Sequence, residues 1–335
     1  MANGFKNMVF AGGGVLGIAY LGVLDYLYQN GVMQNIQKVA GASAGAITAC
    51  ITSFNLPFNE VKAIADSLDY SKIPGKEELL GPKVLPPSIK KQLNKVFGNI
   101  DCLYRLTKQY GWYSSNYFYD WLRLQIDSQF DFQKKLPPYT FSDFKNTSLH
   151  KNERPFLDLY VIGTDVSSQV SSVFCYETTP DMEVAQAVRI SMSMPLFFEA
   201  IKHPEAIKNP NEVIRGTNMP AIFSDGGIMY SYPINLFDSQ GSPKETLGAL
   251  FKSELPPEPI TNLVDFINNI FRCTSLVQLH YHLSNMQDMA RSIQIQTKAV
   301  SPTDFNVKVG DTTYQFLYQQ GYDAARNYFS NLPTL

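Results

Sequence analysis

Histidine and cysteine are both scarce in this chain, with four of each in 335 residues. The cysteines, Cys50, Cys102, Cys175 and Cys273, are scattered and form no C-x-x-C pair. That spacing speaks against a zinc knuckle and a dense disulfide framework. It reads most simply as four reduced thiols, although two disulfides remain compatible with the count. Surplus charge is missing too. The formal net charge is −2, so no overall basic field exists for nucleic acid, and none is expected as a partner. No run is long and apolar enough to span a bilayer. The nearest approach, Met8 to Leu24 behind Lys6, is broken by three glycines and continues as an amphipathic helix, which argues against a secretory signal. The expected location is the cytoplasm or the periphery of a membrane. Repeats, low-complexity tails and long charged blocks are also lacking.

What is present is apolar and aromatic. Hydrophobic residues make up 44%, with 22 Phe and 19 Tyr, enough for a sizeable core. The first fifty residues read as strand (Lys6 to Phe10), helix (Val15 to Tyr28), strand (Lys38 to Ala40) and helix (Ala44 to Phe54). That order predicts a parallel sheet with helices packed on it, an α/β class. Further strands are expected at Leu157–Thr164 and Ser171–Tyr176, which could form a hairpin, and at Ala221–Ser224 and Ser292–Gln296. A terminal helix, Tyr314 to Phe329, contains Gly321. Residues 70 to about 150 are proline-broken and rich in Lys and aromatics. They read as an insertion over the core, so residues 1–335 are taken as one domain.

Two glycine turns carry the chemistry. The first, Gly12-x-Gly14-x-x-Gly17, follows a strand and opens a helix, as the dinucleotide fingerprint requires. That fingerprint also needs an acid at the end of the next strand, and none is there. A nucleotide-binding module is therefore an alternative without its second element. In the acid's place stands Gly41-Ala42-Ser43-Ala44-Gly45, the G-x-S-x-G nucleophile elbow. Small neighbours permit the sharp turn, and the serine projects at a helix start, where the dipole favours negative charge. The Gly12-Gly13-Gly14 turn can then aim backbone amides at an oxyanion.

A nucleophilic serine needs a base. His150 lies in a polar loop, His203 precedes a proline, and His280 and His282 sit two apart in a helical stretch, on different faces. None follows a strand into a glycine turn. Asp225 does, with Gly226-Gly227 behind it. In a dry pocket a carboxylate there could take the proton of Ser43. Asp165, at the end of another strand, is a lower-ranked rival.

At these residues the chain resembles the patatin-like phospholipase family. Gly12-Gly13-Gly14-Val15-Leu16-Gly17, Gly41-Ala42-Ser43-Ala44-Gly45 and Asp225-Gly226-Gly227 match that family's motifs in order. Looser likenesses are "AVRISMSMPLFFEAI", "TFSDF" and "GYDAARNYF". The resemblance implies a three-layer α/β/α sandwich with a mainly parallel central sheet. It implies a Ser43–Asp225 dyad, an oxyanion hole at Gly12, Gly13 and Gly14, and hydrolysis of phospholipid or other acyl-ester lipids through an acyl-serine. No metal or other cofactor is implied, and the alternative it carries is a regulated lipase effector switched on by a partner or small messenger, as some similar proteins are. One departure is Leu16, where many members carry a basic residue. Its absence weakens the expected preference for charged phospholipid. Trp112, Tyr113, Tyr117, Phe118 and Trp121 are candidates to line an acyl slot. Lys90, Lys91 and Lys95 are candidates for membrane contact, though a solvated face is the plainer reading.

Overall fold

A computed structural model describes residues 4–75, 100–203, 220–254, 259–261 and 263–332. Lys90, Lys91 and Lys95 lie outside these. Ten strands are present among the described residues: β1 (Asn7–Phe10), β2 (Lys38–Ala42), β3 (Gly111–Tyr113), β4 (Asp158–Asp165), β5 (Val170–Phe174), β6 (Leu196–Phe198), β7 (Ile201–His203), β8 (Ala221–Asp225), β9 (Thr246–Ser253) and β10 (Ser292–Lys298). Eight of them form one sheet, hydrogen-bonded as β10-β9-β1-β2-β4-β8-β7, with β5 also on β4. The pairs from β10 to β4 are all parallel. β5, β8 and β7 add antiparallel pairs. The sheet is thus mainly parallel at its centre, flanked by helices.

The strand sequences reflect what covers them. β1 is Asn-Met-Val-Phe, buried throughout. Met8 and Phe10 enter a large core on one face, and Val9 and Ala11 enter a smaller one on the other. A strand covered on both sides reads as a continuous apolar run. β10, at the sheet edge, alternates buried Ile293, Ile295 and Thr297 with exposed Gln294, Gln296 and Lys298.

On the larger-core face, α1 (Ile18–Gln29) packs along the terminal helix Thr312–Ser330, and α2 (Ala44–Ser53) lies on β2. Gly321 has its reason here. A Cβ on it would lie 1.8 Å from the carbonyl oxygen of Ala19, and one on Gly22 would lie 1.9 Å from that of Tyr318. The two helices therefore cross in backbone contact, outweighing glycine's cost inside a helix, about 1 kcal/mol. The other face is covered by residues 232–237 and by Leu279 of the long helix Leu263–Ser284. The first helix starts later than its sequence predicts. Gly14–Gly17 form a 3₁₀ turn, with Gly14 at φ 55° and the Val15 amide held by the carbonyl of Pro302.

Residues 111–150 carry the helices Asn116–Asp127 and Phe141–Lys145. Phe118, Leu122 and Ile126 join the main core.

Candidate active site

Three strand ends assemble the site. β1 and β2 are parallel, with Phe10 paired to Gly41, so the two glycine turns leave the sheet side by side. A Cβ on Gly12 would stand 3.3 Å from the Cβ of Ser43. β8 arrives from the opposite direction. β5 fills one edge of β4 from Val161 to Asp165. The other edge carries β2 as far as Ile162 and β8 from Gly163 onward. The C-terminal ends of β2 and β8 consequently meet, and Ser43 and Asp225 face each other across the junction.

Ser43 takes φ 53° and ψ −122°, a backbone conformation costing a non-glycine residue about 1–3 kcal/mol. The surroundings hold it there. Its amide donates to Ser191 Oγ at 2.9 Å, and the Ser191 hydroxyl donates to the Ile162 carbonyl at 2.5 Å. A Cβ on Gly41 would lie 2.2 Å from the carbonyl carbon of Gly45, and one on Gly45 would lie 2.2 Å from Phe10 O. Both positions need glycine, because α2 begins in backbone contact with the strands beneath it.

Asp225 is fully buried. Its amide donates to the Ser193 carbonyl at 2.9 Å, and its carbonyl accepts from Thr164 Oγ1 at 2.9 Å. Oδ1 accepts the Gly227 amide at 2.6 Å. Oδ2 is enclosed with no hydrogen-bond partner of good geometry. Burial pushes the carboxyl pKa up to about 7, while the Ser43 hydroxyl and the Gly227 amide pull it back. The hydroxyl is thus close enough to act on the carboxyl without yet forming a well-aligned bond, as is common before substrate binds. A Cβ on Gly226 would sit 2.3 Å from Ile162 O, so this turn also needs glycine to lie on β4.

The glycines of the first turn divide. The amide of Gly12 donates to the Ser231 carbonyl at 2.9 Å, so it shapes the turn instead of facing an oxyanion, contrary to the expectation for that residue. Gly13 and Gly14 line the cavity beside Ser43, and among the described residues nothing accepts a hydrogen bond from either amide.

Ser43 and Asp225 open into a cavity of about 300 Å³. Its lining is largely apolar and includes Leu21, Ile47, Ile51, Leu68, Trp121 and Phe198. Of the five aromatics expected to line a slot, Trp121 does. Phe118 is buried in the core, and Tyr117 accepts the Asp69 amide at 3.1 Å. Leu16 lines the cavity, where a basic residue was missed in the sequence. The one cation among the described lining residues is Arg272, on the helix Leu263–Ser284.

No histidine is among the described lining residues. His150 is buried, its Nδ1 bonded to the Arg154 carbonyl at 2.7 Å and its Nε2 to that of Asp143 at 3.0 Å, with its ring stacked on Phe156. His282 pairs with Asp288 at 2.8 Å. Asp165 closes the β4–β5 turn by accepting the Ser168 amide at 3.0 Å, outside the cavity. Among the described residues no disulfide joins the four cysteines: Cys50, Cys102 and Cys175 are buried and Cys273 is exposed. Among the described residues, no helix is long and apolar enough to cross a membrane.

A strained serine at a strand-to-helix elbow, beside a buried carboxylate and a glycine turn, sits on a mainly parallel sheet flanked by helices, which makes this an α/β protein. Residues 8–238 match the family model described as patatin-like phospholipase, and the chain belongs to that family. It is 27% identical over 304 residues to the uncharacterized protein YqhO of Bacillus subtilis (strain 168), covering 89% of this chain and 90% of that one. It is 24% identical over 238 residues to the probable lipid hydrolase 463L of Invertebrate iridescent virus 6, covering 69% of this chain and 63% of that one. Among solved structures, VipD from Legionella pneumophila shares the fold, with a TM-score of 0.58 at 19% identity, covering 98% of this chain and 67% of that one.

Proposed function

We propose that this chain is a lipid acyl hydrolase that cleaves carboxylic esters through an acyl-Ser43 intermediate, with Asp225 as the base. The observation that carries the reading is the meeting of the strained Ser43 and the buried, half-satisfied Asp225 at the mouth of an apolar cavity. Ionised Asp225 takes the hydroxyl proton as Ser43 Oγ attacks the ester carbonyl. The negative oxygen is received by the amides of Gly13 and Gly14. Collapse expels the alcohol, which regains the proton from Asp225. Water, activated by the same carboxylate, then attacks the acyl-serine and releases the fatty acid. The acyl chain lies along the apolar wall, as a hydrophobic ligand does in a preformed pocket. Release of fatty acid from phospholipid vesicles, compared between the wild type, Ser43→Ala and Asp225→Asn, tests the assignment.

The acyl ester is part of a phospholipid in this reading. The cavity lacks a basic residue at Leu16, but Arg272, among its described lining residues, supplies a positive charge. A guanidinium there suits a phosphodiester.

The same helix supports contact with a lipid surface. Phe266, Ile270, Val277 and Tyr281 are 49%, 50%, 71% and 67% exposed. Their spacing puts them on one stripe, opposite Phe271, Ser275 and Gln278, which face the cavity. A bilayer lying on that stripe is about one helix diameter, some 10 Å, from the acyl cavity.

A further inference from the structure

The long helix Leu263–Ser284 reaches the catalytic turn through one side chain. Gln278 Nε2 donates to the carbonyls of Gly227 and Ile228, both at 2.9 Å, and its Oε1 accepts the Ser231 amide at 2.7 Å. Two carbonyls need the nitrogen and one amide needs the oxygen, so this orientation alone serves all three groups. Their positions matter. The amide of Gly227 donates to Asp225 Oδ1 at 2.6 Å. The carbonyl of Ser231 accepts the Gly12 amide at 2.9 Å. A single carboxamide therefore spans a loop whose first end supports the base and whose last end holds the first glycine of the oxyanion turn.

We infer that Gln278 is a positioning residue for the Ser43–Asp225 reaction, fixing residues 227–231 so that the base and the oxyanion turn keep their mutual geometry. This rests on the function proposed above. Phe271, two helical turns earlier, closes on the same turn: its ring lies 3.2 Å from where a Cβ on Gly227 would be. The helix thus seats on the catalytic loop at two points, one apolar and one fully hydrogen-bonded. Each of three close replacements loses part of this. Leucine keeps the bulk and loses all three bonds. Glutamate loses both donors and brings a negative charge beside the loop that supports Asp225. Asparagine keeps the carboxamide but is one methylene short.

The test uses the full chain carrying Gln278→Leu, Gln278→Glu or Gln278→Asn, with folding checked by circular dichroism. Two readouts are needed. In steady-state hydrolysis of a short-chain ester, Gln278→Leu is expected to lower kcat by about 10- to 100-fold with KM changed much less, because the geometry lost serves the transition state. Gln278→Asn should recover part of that loss and Gln278→Glu none. The second readout does not depend on turnover. The Asp225 carboxyl is titrated by carbon-13 NMR, with Asp225→Asn for assignment. Loosening the Gly227 amide removes a bond to the ionised form, so the Asp225 midpoint should rise in Gln278→Leu. A folded Gln278→Leu protein with the wild-type Asp225 midpoint would overturn the inference even if the hydrolase reading failed. An equal loss in Asn and Leu, following folded fraction alone, would also overturn it. Full activity in Ser43→Ala would instead remove the hydrolase reading, and the titration would still decide the role of Gln278.

Discussion

Ser43 and Asp225 lie at the ends of strands that meet on one edge of β4, where Ala42 pairs with Ile162 and Asp225 with Gly163. The residues next to that junction serve both. Ser191 Oγ receives the Ser43 amide, and two residues later the Ser193 carbonyl receives that of Asp225. One short segment therefore sets the separation of Ser43 and Asp225. If the pair acts as a unit, Ser43→Ala and Asp225→Asn should each reduce turnover by at least about 10³-fold, and the double variant should lose little more than either single one. Fatty-acid release by purified, folded variants measures this. Turnover near the wild-type level in either would remove that residue from the mechanism.

The pH dependence follows from the burial of Asp225. Its pKa in the folded protein is about 7, raised from 3.8. If Asp225 is the base, it works only when ionised, so kcat/KM should rise with pH along a limb centred near 7 and level off above it. Stability should move the other way. Between the two pKa values the folded state binds a proton that the unfolded state does not, so this contribution is full below about pH 4 and is lost as pH rises through about 7. A shift of that size corresponds to about 4 kcal/mol at most. Asparagine carries no such cost. Thermal melts at pH 5 and pH 8.5 should therefore show Asp225→Asn gaining on the wild type at the higher pH. A constant difference between the two proteins would show that the carboxyl is not the titrating group.

The two glycines of the elbow are expected to tolerate no side chain. At Gly45 a methyl group would meet the carbonyl oxygen of Phe10 at 2.2 Å, and that atom belongs to the buried backbone of β1. Relief requires α2 to lift from the sheet. Gly45→Ala should cost about 1–3 kcal/mol or more, as overpacking of rigid cores does. It should also displace Ser43 and reduce turnover beyond the loss of folded protein. Urea unfolding with parallel assays checks both. A variant with the wild-type midpoint would show that the contact relaxes without strain.

Much of this site can be read from the sequence because turn chemistry is local. The glycines and small residues around Ser43 and Asp225 leave their mark whatever surrounds them. Edge strand β10 is legible because half of it meets solvent. β9 is not, because Leu247, Ala249 and Leu250 are buried on both faces and leave no alternation. Gly321 is visible inside its helix, but its partner Gly22 is a matter of helix crossing. Ser191 and Gln278 act through hydrogen bonds spanning 148 and about 50 residues of sequence, which no local pattern announces. For Ser191 a signal existed in the family-like serine-rich segment. Asp225 outranks Asp165 in the sequence because two glycines follow it, and the strand register adds that Asp225 pairs with Gly163 beside the end of β2.

The exposed stripe of the long helix gives a prediction about vesicles. If Val277 and Tyr281 enter a lipid surface, Val277→Asp with Tyr281→Asp should weaken sedimentation with phospholipid vesicles. Hydrolysis of a dispersed short-chain ester should be unchanged, since both side chains point away from the cavity. Equal binding of the wild type and the double variant would assign the stripe to something other than a bilayer.

Arg272 gives a prediction that sets phospholipid against neutral lipid as substrate. A cation lining a largely apolar cavity is costly to desolvate unless an anion meets it. A phosphodiester does so, whereas a triglyceride or an alkyl ester does not. Arg272→Ala should therefore lower kcat/KM for a phospholipid by about 10- to 100-fold, the worth of a charge-assisted hydrogen bond. The effect on an uncharged ester of equal chain length should be small. Arg272→Lys should restore part of the loss by keeping the charge without the planar fork. If both substrates fall together in Arg272→Ala, the guanidinium supports the helix and does not read the head group. If neither falls, the charge that Leu16 leaves missing is not replaced from this wall.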